Sequence, residues 1–137
     1  MTQRYVEKLA SSRKEANHND FRLAKVASEL MIETIRIMNT VPKKFRHTYA
    51  DHISKHVIMI YESINKVNYL KDVDLENAKR IVQDVDISLM LLQEEIDILR
   101  VEQGITLDQL FVIMNKMKQF IPMYRSWSTK YIVNIIN

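Results

Sequence analysis

Between residues 75 and 99, the apolar side chains Leu75, Ala78, Val82, Val85, Leu89, Leu92, Ile96 and Leu99 recur at spacings of three and four without a break. That rhythm places all of them on one side of an α-helix, because a helical turn takes 3.6 residues. The same reading predicts three more helices. A first helix over about 21–40 carries a wide stripe of Leu23, Ala27, Leu30, Ile37 and Val41, flanked by Ala24, Met31, Ile35 and Met38. A second, from about Pro42 to Leu70, has its seam at Ile53, Val57, Ile60, Ile64 and Val67. A fourth carries Leu107, Leu110, Met114, Met117 and Ile121 and ends at Pro122.

The polar residues between these runs supply the stops and starts. Asn19 or Asp20 suits the cap of the first helix, and Asp74 the cap of the third. Pro42 pushes the preceding residue out of the helical region and itself suits a first helical turn, so one helix ends and another begins there. Gly104 closes the third helix, and Thr106 with Gln109 has the spacing of a capping box for the fourth. Four long helices on short connections predict an all-α fold, an up-down-up-down antiparallel four-helix bundle over residues 20–124. Residues 1–19 are a charged, loose N-terminal leader. Residues 125–137 are an apolar C-terminal tail, β-branched over 131–136, expected to dock on the bundle or on a neighbouring subunit.

Composition narrows the function. One glycine and two prolines in 137 residues are too few turn-formers for a sheet protein. With 47% hydrophobic residues the chain can bury a core. There is no cysteine, hence no disulfide, thiolate site or cysteine nucleophile. No signal peptide or membrane span is legible, and a cytoplasmic protein is expected. The net charge of +3 hides an asymmetry: residues 73–104 hold 3 basic and 8 acidic side chains, whereas residues 1–72 hold 13 basic and 8 acidic ones. Such a distribution fits a basic surface for nucleic acid, an acidic helix beside a basic one, or both.

The densest basic stretch is Thr40–Ile53, reading TVPKKFRHTYADHI. Lys43, Lys44, Arg46, His47 and Lys55, with His56 beyond and Tyr49 among them, form a candidate nucleic-acid-binding surface in which cations meet phosphates with little sequence preference. The competing reading is a solvated helix start paired with the acidic third helix. Cations at a helix N-terminus oppose the local dipole, which favours the first reading. Tyr124, Trp127 and Tyr131 suit base stacking or, more commonly, core packing. His52 and His56, four apart, have the spacing of a two-histidine metal site, but no third ligand accompanies them; no metal or other cofactor is expected. Asp84, Asp86, Glu94, Glu95 and Asp97 interleave with the apolar seam and read as a solvated or salt-bridged face rather than an acid–base pair. With no glycine-rich loop and no nucleophile motif, the chain does not read as an enzyme.

Within Val41–Ile53, the order Pro42, Lys43, Lys44, Phe45, Arg46, Thr48, with Asp51 following, resembles a family signature. It is found in the four-helix-bundle proteins encoded in ribosomal-RNA intervening sequences, and in their relatives, the accessory variability determinant proteins of diversity-generating retroelements. The leucine-rich third helix and Trp127 near the end of the fourth extend the likeness over about residues 21–130. The resemblance implies a non-enzymatic bundle that assembles into a homo-oligomeric ring, often a pentamer. It further implies a basic surface for RNA or DNA and an accessory role beside a reverse transcriptase. The alternative is a structural or protein-interaction bundle with no nucleic-acid role.

Overall fold

A computed structural model of the chain describes residues 18–132, so most of the leader and the last residues of the tail lie outside the described part. The described residues are all-helical, without a strand. Four long helices follow one another: α1 (His18–Met38), α2 (Asp51–Leu70), α3 (Leu75–Val101) and α4 (Leu107–Ser128). α2 packs on α1 and on α3, and α1 packs on α4, whereas contact between α3 and α4 is sparse.

α1 already includes Asn19 and Asp20, so it starts ahead of both expected caps. Its buried stripe is Leu23, Ala27, Leu30, Ile37 and Met38, with Thr34 filling the gap in the apolar pattern. The Thr34 hydroxyl is fully buried without a hydrogen-bond partner. Every predicted seam residue of α2 is buried: Ile53, Val57, Ile60, Ile64 and Val67. Along α3 the seam from Ala78 to Leu99 is buried too. Leu75 departs from it, 47% exposed, because as the first residue of the helix it stands on the rim of the core. Each fully buried Leu, Ile or Val is worth about 1.5–3 kcal/mol over its exposed state, so these seams dominate the folding energy.

The ends of α3 show how local chemistry sets its length. At the start, the Asp74 carboxylate accepts the Asn77 N–H at 3.2 Å. At the finish, Gly104 N–H donates to the Leu99 carbonyl at 2.8 Å and Gln103 N–H to that of Arg100 at 2.9 Å. This paired pattern is a Schellman motif. The left-handed residue in it is Gln103, with φ 65°, not the glycine. Gly104 is required for a different reason: a Cβ there would overlap the Leu99 side chain at Cδ1, inside the core. The capping box at the start of α4 is complete, with Gln109 N–H donating to Thr106 Oγ1 at 3.1 Å and Thr106 N–H to Gln109 Oε1 at 2.9 Å.

α4 corrects two expectations. The helix does not stop at Pro122 but runs through it to Ser128. A proline in a helix leaves the carbonyl four residues earlier without its donor. Here Pro122 and Lys118 are both exposed, so that carbonyl stands on the wet side of the helix. The buried face is also rotated from the predicted one. It is Ile113, Met117, Phe120, Tyr124 and Trp127, whereas Leu107 and Met114 are 49% and 40% exposed. Phe120, Tyr124, Trp127 and Tyr131 form a ladder of rings with centroids 5.6, 6.1 and 5.3 Å apart. Residues 125–131 therefore continue the core of α4.

Candidate nucleic-acid interface

The basic turn is built by the residues that interrupt the helical run. Val41 is buried, and Pro42 takes an extended conformation with φ −53° and ψ 144°. Lys43–Phe45 then form one tight 3-10 turn, and Arg46–Ala50 one wide π-turn in which Asp51 N–H donates to the Arg46 carbonyl. The predicted helix from Pro42 thus winds through two other pitches before α2 proper begins. Ala50 is buried, and Phe45 and Tyr49 pack against the core with ring centroids 5.9 Å apart. These three apolar anchors face inward and leave the cations outside.

Lys43, Lys44, Arg46, His47 and Lys55 are all exposed. His47 Nδ1 lies 3.1 Å from Asp51 Oδ2. Lys44 Nζ sits 4.9 Å above the Phe45 ring. The ion pairs formed among the described residues leave Lys43, Lys44, Arg46 and Lys55 aside. No side chain caps either short turn, and neither carries an acidic residue in its first turn. Lys43, Lys44 and Arg46 therefore stand ahead of the positive end of α2, whose first turn carries Asp51, and Lys55 follows about one turn on.

Other candidate residues are used differently. His56 does not pair with His52; its Nδ1 lies 3.0 Å from Glu95 Oε2 across the α2–α3 contact, while His52 is exposed. Among the described residues, no three His, Asp or Glu side chains converge as metal ligands. The acidic face of α3 divides: Asp84, Glu94 and Asp97 are exposed, but Asp86 is 1% exposed. Asp86 is thus a correction to the solvated face. Its Oδ1 is 3.2 Å from the Tyr124 hydroxyl, which also lies 3.4 Å from the Val82 carbonyl. Burial, and then the Asp86 carboxylate beside it, push the Tyr124 phenol well above its ordinary range. Nothing in the spacing of Asp86 distinguishes it from its exposed neighbours; its partner is 38 residues away. Tyr124, Trp127 and Tyr131 are buried and so form no stacking platform for bases.

A groove between α3 and α4, about 400 Å³ in volume, was not anticipated. It exists because α3 and α4 make only sparse contact there. No helix among the described residues is long and apolar enough to cross a membrane.

Compared with protein-family models, with curated proteins and with solved structures, the chain matches none.

Proposed function

We propose that the chain is a cytoplasmic, non-enzymatic, oligomeric binding protein that contacts RNA or DNA phosphates through Lys43, Lys44, Arg46, His47 and Lys55. The observation that carries this reading is the basic turn: exposed cations, four of them without a carboxylate partner, on a turn anchored by Phe45, Tyr49 and Ala50. The bundle topology proposed is up-down-up-down. Gln109 meeting Thr40 at 2.9 Å, and Lys116 meeting Glu29 at 3.5 Å, support opposite directions for α1 and α4. The non-enzymatic reading is supported by the use of the polar pairs: His56–Glu95 joins α2 to α3, and Tyr124–Asp86 is sealed inside. The homo-oligomer and the reverse-transcriptase partner come from the resemblance of residues 42–48; the geometry speaks for the phosphate surface.

The test is a binding titration of single-stranded RNA, single-stranded DNA and duplex at rising salt. Each phosphate contact adds roughly 0.7–0.9 to the slope of log K against log salt, so Lys43→Gln with Lys44→Gln lowers that slope by about 1–2. No binding at low salt overturns the reading. A second reading, a protein-interaction bundle, is favoured by the exposed apolar side chains of α3 and α4, Ile87, Leu91, Ile98, Phe111 and Met114.

A further inference from the structure

α4 carries two apolar seams, and only one has a helix to pack on. Ile113, Met117, Phe120, Tyr124 and Trp127 are buried. Leu107, Leu110, Met114, Met117 and Ile121 run beside them at spacings of three and four, and the last four line the edge that faces α3. α3 does not close over this edge: it presents Gln93 and Asp97 to the groove, and only Ile96 reaches the floor with Ile113 and Met117. The two helices meet through the Asp86–Tyr124 contact and the Glu102–Thr106 connection, and the groove lies between these two points. From Leu110 to Ile121 the open seam rises roughly 17 Å, three helical turns.

We propose that this groove docks an amphipathic helix of a partner protein, with apolar residues at i, i+3, i+4 and i+7 and a cationic edge. The seam spacing is that of a helix-packing ledge, and a helix laid along it completes the contact that α3 leaves open. Methionines at 114 and 117 give the floor a polarisable surface that adapts to the incoming side chains. Charge selects the partner and its direction. The α3 wall presents Asp97 with exposed Glu94 beside it, and so takes lysine or arginine; Lys118 on the α4 wall turns that edge away from itself. The chain's own exposed apolar stripe, Ile87, Leu91 and Ile98, is bordered by Asp84 and Glu94. In the groove it would set acid against acid, which disfavours a second copy of this chain as the occupant.

The test uses the full chain and a labelled synthetic helical peptide of about eighteen residues, leucines on one face and lysines along one edge, followed by fluorescence anisotropy. Saturable binding is expected. It weakens about tenfold or more in Met114→Lys, an exposed position on the groove wall whose change leaves the melting transition in place. Asp97→Asn, or a peptide with glutamates for lysines, weakens it by a smaller factor. Lys43→Gln with Lys44→Gln leaves it unchanged, which separates the groove from the basic turn. Absence of saturable binding, or equal binding of a scrambled peptide lacking the apolar face, overturns the proposal. So does sedimentation showing an oligomer that Met114→Lys dissolves, since a second copy would then fill the groove.

Discussion

The two edges of α3 differ in what lies beside them. Toward α2, the edge is sealed: the helices pack along their length and Glu95 meets His56 at 3.0 Å. Toward α4, it closes at Asp86–Tyr124 and then opens into a groove. The same helix, with the same unbroken seam, thus makes one finished interface and one unfinished one. A perfect apolar rhythm guarantees that a helix buries one stripe; it does not determine whether the flanks of that stripe are covered.

The contrast can be broken most forcefully at the shared core. Phe120→Ala, on the buried seam of α4, is expected to cost about 3–5 kcal/mol in denaturant unfolding, whereas Met114→Ala on the open seam stays within about 0.5 kcal/mol. Equal losses at the two positions would mean that the groove is closed in solution.

Next in size is the contact that ends the groove. Tyr124→Phe takes a donor from buried Asp86 and should cost about 1–3 kcal/mol. Its pH signature is separable. The folded-state phenol titrates above the ordinary 10.0, so the folded chain holds its proton where the unfolded chain has lost it. The Tyr124 contribution is complete below about pH 10 and declines as pH rises, by roughly 1.4 kcal/mol per unit. In Tyr124→Phe the alkaline decline should be shallower by about one proton, measured by urea midpoints from pH 9 to 11.

The connection that closes the other end offers a pair of opposite sign. Gly104→Ala drives a methyl group into Leu99 and should lose about 1–3 kcal/mol. Gln103→Gly relieves a left-handed non-glycine and should gain about 0.5–1 kcal/mol, both read from thermal midpoints. Smallest is the seal itself: His56→Ala should cost about 1 kcal/mol, and a double-mutant cycle with Glu95→Ala should show coupling of the same order.

The first three helices were legible because their apolar residues form one seam each, with Pro42 and Asp74 marking the breaks. The register of α4 was not, because that helix has two seams sharing Met117, and Pro122 appeared to end it. With the helix ended at Pro122, Tyr124, Trp127 and Tyr131 stand outside its apolar pattern, although these aromatics mark the buried seam. Their spacing with Phe120, four, three and four, was a signal available in the sequence. The basic residues of the candidate site were legible as composition, but not the change of pitch that presents them. That depends on how Phe45, Tyr49 and Ala50 reach the core, a tertiary matter.

The wide turn at Arg46–Ala50 contains one more residue than an ordinary helical turn would use. Deleting a residue there can be absorbed by tightening to regular pitch, which leaves the Ile53–Val67 seam in register. Lys43 and Lys44 would keep their orientation as well, because Phe45 beside them stays packed against the core. The turn is thus a spare link: one codon can be lost from it while the charged tip and the rods behind it both keep their places.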